Sequence, residues 1–300
     1  MVVLATTSRV ALPLLRASAA SWSLSPRVPS APLATAAAST QLAAVPSLVA
    51  STLGAAVAVP PLARDVSVSI FLVIASVMWI KICNGLAGAG VTSQYVSRKL
   101  VHMGSGPLFL LFWPFFSTAA SAQLCAIAVP VLSLLRLWRA GKAKGAGSEL
   151  VKAISRSGDK KEALEGPFLY TIVLLLATTL GWRSPLSIIV VCQMAIGDGM
   201  ADIIGRRFGK TRWPKAMEPS GKKSVEGSLA FAGFAFAASL GMLGVNNLAG
   251  ITSIDLGLAA PRLALISLIA SAVELLPLGD DNLTVPGSSA IAAILLFRGF

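Results

Sequence analysis

Charge is what this chain lacks. Only 13% of its 300 residues are charged, against about a quarter in soluble domains, while 55% are hydrophobic and the mean hydropathy is +0.77. That excludes an ordinary soluble domain, because several stretches approach the roughly 20 apolar residues that cross about 30 Å of hydrocarbon. Acidic residues are absent from Met1 to Arg64, and the first is Asp65. Histidine occurs once, at His102. Cys83, Cys125 and Cys192 lie in or beside apolar segments with no CxxC or Cys/His spacing, and read as small packing residues. The GxxxxGK[ST] spacing of a P-loop is missing. A net charge of +12 comes with no RNA- or DNA-binding motif, so a nucleic-acid partner is set aside. In a multispan protein such an excess first reports orientation in the bilayer and contact with anionic lipid.

The acid-free segment is a text of its own. Ala, Ser, Leu, Val and Pro dominate it, with Arg9, Arg16, Arg27 and Arg64 scattered through. It has no compact apolar core after a single charged start, so a secretory signal fits poorly, whereas Ser and Arg without acids is the composition of an organelle transit peptide. Ser and Ala outweigh Arg, which favours a plastid over a mitochondrial address. Ala43 to Ala63 is apolar, but Pro46, Pro60 and Pro61 argue against a span there. The expected division is a cleaved transit peptide over residues 1–62 and a membrane domain over 65–300.

Within that domain the apolar stretches fall at about 66–86, 101–117, 119–138, 166–182, 185–204, 225–245, 256–276 and 284–298. The expected fold is all-α, a polytopic transmembrane helical bundle of about seven spans, six to eight. Pro107, Pro114 and Pro130 should kink their helices, and the small residues of 225–245 point to close packing. Basic residues crowd the gaps after the first, third and fifth stretches. The opposite gaps hold Arg183 and Arg262, with Arg298 near the chain's end. By the positive-inside rule the crowded loops face the cytosol, or the stroma of a plastid.

The unusual polar residues fall on that same face. Asp198 and Asp202 are spaced i, i+4, so both carboxylates share one side of a helix and want a cation between them. Mg²⁺ carrying nucleotide phosphates suits that role, since it takes one or two carboxylates plus substrate oxygens. Gly197, Gly199 and Gly205 would let backbone approach a ligand, and Arg206 continues the acidic face. Embedded acids of this kind are costly and usually functional, although pairing with the neighbouring arginines is the plainer account. Lys222, Lys223 and Ser224 join a basic loop to a helix start, where phosphate binding and simple capping are both open. His102 shares a helix side with Arg98 and Lys99; nearby cations favour its neutral form, able to accept a hydroxyl proton, though an interfacial anchor is the plainer role. Glu165, Glu274, Asp280, Asp281 and Asn282 complete the set, as further ligands or as turn residues.

Taken in order, Arg98-Lys99-x-x-His102, Ser155-Arg156-Ser-Gly158-Asp159 before Glu165-Gly166-Pro167, Gly197-Asp198-x-x-Ala201-Asp202-x-x-Gly205-Arg206, Lys223-Ser224-x-Glu226-Gly227-Ser228 and Asp281-Asn282-x-x-x-Pro286 resemble the polyprenol kinase family. Within it they are similar to the plant plastid phytol kinase and farnesol kinase branch, over residues 66–300. The resemblance implies phosphorylation of an isoprenoid alcohol such as phytol, CTP as the donor nucleoside triphosphate, dependence on Mg²⁺, and a fold shared with dolichol kinases and more remotely CDP-diacylglycerol synthases. In that frame Asp198, Asp202 and Asp281 hold the metal. Arg98, Lys99, Arg156, Arg206, Lys222, Lys223 and Ser224 hold phosphates, and His102 or Glu226 orients or deprotonates the alcohol.

Three rivals stay in view. A farnesol or geranylgeraniol kinase would share the chemistry with a different tail. A CDP-diacylglycerol synthase-like enzyme would keep the nucleotide in its product. A transporter would place its ionisable groups nearer mid-membrane, often with inverted repeats, and no convincing repeat is found here.

Overall fold

The computed structural model describes residues 59–142 and 165–297. The leader up to residue 58 and Arg156 lie outside them. Eight helices run through the described residues: α1 (Pro61–Gly88), α2 (Gln94–Leu111), α3 (Ser121–Lys142), α4 (Gly166–Leu180), α5 (Pro185–Phe208), α6 (Val225–Leu248), α7 (Leu256–Leu275) and α8 (Asp281–Phe297). The only pairing of strand type among the described residues is an isolated bridge between Arg212 and Ser224. The all-α architecture expected from hydropathy is therefore present.

Five helices are long and apolar enough to cross a membrane: α1, α3, α5, α6 and α7. The 28 residues of α1 would extend about 42 Å, which exceeds the hydrocarbon thickness and calls for tilt. Two shorter apolar helices, α4 and α8, accompany them. The stretch expected at 101–117 departs most from its helix. α2 starts at Gln94, because Ser93 caps it by accepting from the Val96 amide at 3.2 Å. It ends before Pro114, where a 3₁₀ turn, Trp113–Phe115, takes over. Arg98, Lys99 and His102 thus stand one to two turns inside the helix, on one side of it as their spacing predicts.

The axis of the bundle is α5. Two thirds of its most apolar window is buried, 67%, against 17% for α1. Ile188, Ile189, Val191, Cys192 and Met194 are completely covered. Around it, α1 packs on α2 and α3, α3 on α4, α6 on α7 and on the C-terminal part of α5, and α7 on α8. Midway, α5 loosens into a π turn, Gln193–Gly197, before resuming as helix at Asp198. Since each residue turns an α-helix by about 100°, that turn resets which way everything after it points. Gln193 is fully buried there and donates to Ser239 Oγ at 3.1 Å and Ser267 Oγ at 2.8 Å, tying α5 to α6 and α7.

The small residues serve packing. A Cβ on Gly197 would come 2.7 Å from Phe231, and one on Gly227 would come 2.9 Å from the Ala201 carbonyl. Gly199 stands against Met103 and Gly205 against Ser224 and Gly227. The close helix contact expected of α6 is present. The glycines around Asp198 are filled by neighbouring helices, which corrects the expectation that they leave room for a ligand.

Candidate active site

α2 and the C-terminal part of α5 meet through their charges. The i, i+4, i+8 spacing puts Asp198, Asp202 and Arg206 along one side of α5. The Lys99 ammonium lies 3.2 Å from Asp198 Oδ2 and 3.0 Å from Asp202 Oδ2. It is the cation between the two carboxylates, and its side chain is only 12% exposed. Asp202 also takes Arg206 Nε at 2.7 Å, and that guanidinium rests 4.5 Å over the ring of Tyr95. His102 Nε2 stands 3.2 Å from the Met194 carbonyl and 3.4 Å from Asp198 Oδ2. Both partners accept, so this nitrogen carries the hydrogen and a neutral ring keeps its lone pair on Nδ1.

A second group joins from the other side. Lys223 reaches out of the 209–224 loop to Glu274 Oε1 at 2.9 Å and Asp281 Oδ2 at 3.3 Å, and also donates to the Glu274 carbonyl. Burial alone would lower the Lys223 pKa, but the carboxylates of Glu274 and Asp281 outweigh it and raise it above the ordinary lysine value. Asp198, Glu274 and Asp281 each offer an oxygen, and the three oxygens lie within 4.8 Å of one another. A compact set of hard oxygen donors fits Mg²⁺. Glu274 belongs to this group, while Asp202 turns toward Lys99 and Arg206.

Lys99, His102, Asp198 and Asp281 of this cluster border a cavity of about 530 Å³. Arg98, Glu165 and Asn282 line it beside them. The rest of the wall mixes apolar side chains, Ile80 from α1, Phe109 from α2, Val129 and Leu137 from α3 and Leu174 from α4, with Ser76, Ser105, Ser133, Arg136 and Thr171. The lining is amphiphilic: charged groups from α2, α5 and the start of α8 share one space with apolar side chains of α1 to α4.

Other expected residues do local work. Ser224 caps α6, accepting from the Gly227 amide at 3.1 Å. Glu226 accepts from the amides of Lys210 and Thr211 at 3.1 and 3.0 Å, which fastens the start of the loop. Neither lines the cavity, and Lys222 is exposed on the loop. Asp280 Oδ1 takes both the backbone and side-chain nitrogens of Asn282 at 2.8 Å, the turn role open to it in the sequence.

No family model matches the chain, and no solved structure matches it. Among curated proteins, it is 36% identical over 262 residues to "Phytol kinase 1, chloroplastic" of Arabidopsis thaliana, covering 86% of this chain and 84% of the relative. It is 38% identical over 212 residues to "Farnesol kinase, chloroplastic" of the same plant, covering 69% and 67%. The chain belongs to the phytol kinase and farnesol kinase family.

For a member of this family, sequence reasoning passed over three groups. The chain has only two tyrosines, and both stand at the site: Tyr95 beneath Arg206, and Tyr170 with its ring centroid 4.6 Å from that of His102. Their scarcity in so apolar a chain was the available signal. Glu218, 3% exposed, organises the basic loop by accepting from Ser220 and from the Lys223 amide. Nothing in its spacing marks it.

Proposed function

We propose that this chain is a chloroplast-membrane kinase that transfers the γ-phosphoryl group of CTP to phytol, giving phytyl phosphate. The observation that carries the reading is the cavity, whose lining joins a charged cluster to a set of apolar side chains. An isoprenoid alcohol has that shape of polarity: its tail would lie against Ile80, Val129, Leu137 and Leu174, with its hydroxyl at His102 and Asp198. A soluble kinase substrate would have no use for that apolar slot. Residues 1–62 serve as the plastid transit peptide, 65–300 form the catalytic domain, and the basic loops face the stroma, in keeping with the positive-inside rule.

In this mechanism Asp198, Glu274 and Asp281 hold Mg²⁺, with Asp202 and Arg206 backing them. Bound there, the ion neutralises charge on the nucleotide phosphates. Lys99, Lys223 and Arg98 bring positive charge to the same place, and phosphoryl transfer is mostly such positioning and electrostatics. His102 accepts the hydroxyl proton at Nδ1, its Nε2 hydrogen being held by Met194 and Asp198. Glu226 is the weaker choice for that step, because backbone amides already occupy its carboxylate.

A farnesol or geranylgeraniol kinase is the second reading, because the chain is about as similar to a farnesol kinase, at 38%, as to a phytol kinase, at 36%. Purified protein in liposomes, supplied with either γ-phosphate-labelled or cytidine-labelled CTP and each alcohol in turn, separates the choices. Phosphate label entering phytyl phosphate, with cytidine label left in solution, is the expected result. Preference for farnesol would change the substrate and keep the chemistry. Cytidine label in lipid would replace the kinase by a nucleotidyltransferase, and no label in any lipid would remove both.

A further inference from the structure

Tyr170 stands on α4 with its side chain buried, 6% exposed, and it lines the cavity beside His102. Its hydroxyl receives the Gly106 amide hydrogen at 2.8 Å and donates to the His102 carbonyl at 2.9 Å. Those two backbone groups are four residues apart, the donor and acceptor that a single α-helical turn would join. A side chain from a neighbouring helix therefore sits on the hydrogen-bond ladder of α2 at the residue carrying the imidazole. The next residue is Pro107, which has no amide hydrogen to offer, so the ladder is already interrupted there.

The surroundings are fitted to this arrangement. A Cβ on Gly106 would come 2.5 Å from the Tyr170 hydroxyl oxygen and 2.8 Å from Val191, so this position admits only glycine while the tyrosine is seated. The tyrosine ring packs against the imidazole, 4.6 Å between centroids at 52°. On its other edge the imidazole is held by the Met194 carbonyl, at the π turn of α5. Backbone and ring of His102 are thus each fixed from a different helix. A buried aromatic wanted only for packing would be served by phenylalanine, which could make neither bond to α2.

We infer that Tyr170 is a positioning residue for His102, using its hydroxyl to set the α2 backbone so that the imidazole stands where the apolar slot meets the acidic cluster. The inference rests on the role proposed above for His102. Its test is a double-mutant cycle on the full chain in liposomes, reading label transfer from CTP to alcohol for wild type, Tyr170→Phe, His102→Ala and the double variant. Thermal unfolding of each is followed in the same liposomes.

Tyr170→Phe should lower kcat by about 10–100-fold, the usual loss when a group that orients a reacting side chain is removed. KM for CTP and alcohol should stay within about twofold, and unfolding should stay close to wild type. In the His102→Ala background the same change should have no further effect, because the two residues act as one unit. An unchanged kcat in Tyr170→Phe, or an equal loss in both backgrounds, would overturn the inference and leave the kinase standing. Full activity in His102→Ala would remove the role of His102 and this inference with it. Absence of transfer by the wild type would instead overturn the kinase reading on which both depend.

Discussion

Polar side chains gather at both ends of the bundle, and the two gatherings are built in opposite ways. At one end Asp65, with no exposed surface, accepts from the Ser117 amide at 2.6 Å, from Ser117 Oγ at 2.8 Å and from Ser121 Oγ at 2.6 Å. Beside it Arg183 donates to the carbonyls of Trp113, Phe116 and Ser117 at 2.8 to 3.0 Å. Arg183 holds a left-handed φ of 59°, a conformation that costs a non-glycine residue roughly 1–2 kcal/mol, and three carbonyl bonds secure it. Both oxygens of Asp65 are taken by short, uncharged partners. This end is a clasp that closes the turns between α2 and α3 and between α4 and α5.

At the other end the acids outnumber what fixed hydrogen bonds could satisfy. Asp198, Asp202, Glu274 and Asp281 are held apart by two lysine ammonium groups on flexible stems, Lys99 and Lys223. Asp198, Asp281 and Lys99 line the cavity, while Asp202, Glu274 and Lys223 belong to the same ion-paired cluster without lining it. A lysine can give way to another cation and turn to a phosphate; a serine hydroxyl bonded to a buried carboxylate has no such second state. Burial and polarity are shared by the two ends, so neither property alone marks a site. What separates them is whether the counter-groups can be exchanged and whether a cavity adjoins them.

The largest effects should fall on opposite properties. Asp198→Asn is expected to lower phosphoryl transfer by about 10²–10³-fold while thermal unfolding stays close to wild type. Asp65→Ala should do the reverse. It strands the Ser117 amide and two serine hydroxyls in a buried place, which costs about 3 kcal/mol in stability, with turnover per folded molecule unchanged. Comparable losses of stability in both variants would erase the distinction. A smaller effect is expected along the slot. Val129→Phe adds bulk to its wall and should lower kcat/KM for phytol relative to farnesol by about tenfold, measured in competition.

The smallest effect concerns the loop that delivers Lys223. Hydrogen bonds from Ser220 and from the Lys223 amide hold the Glu218 pKa below the ordinary glutamate value of 4.5, although burial works against them. A depressed pKa contributes stability that is present above 4.5 and lost as pH falls below it. Limited proteolysis between residues 209 and 224 should therefore quicken only under acid, and in Glu218→Gln it should be faster at neutral pH. A loop equally resistant at all pH values in both proteins would mean that other contacts hold it.

Much of this was written in hydropathy and spacing. The apolar stretches located every helix, and the i, i+4 pair placed both acids on one side of α5, but the cation between them is the Lys99 ammonium where Mg²⁺ was expected. That the cation is Lys99 needs the helix crossing, which local spacing does not encode. The start of α2 was misread because hydropathy senses lipid contact, whereas Ser93 and its cap decide where helix begins. The π turn left no mark either, since it depends on how Gln193 meets Ser239 and Ser267 from other helices. Ser224 stayed open between cap and phosphate ligand because the same residue types serve both, and Glu226 read as a candidate base because spacing does not show the loop amides that its carboxylate holds. The role of Tyr170 was hidden for a related reason, as its partners are the backbone atoms of another helix.

The central claim is that the charged cluster and the apolar slot form one site for an alcohol. It is tested most directly with a phytol analogue carrying a photoreactive diazirine near the end of its tail. After irradiation in liposomes, the labelled residues are mapped by mass spectrometry with and without excess phytol. The expected result is label at the wall of the slot, on Ile80, Phe109, Val129, Leu137 or Leu174, suppressed by phytol. Label confined to the outward faces, such as Phe71 or Leu268, and indifferent to phytol would contradict the account.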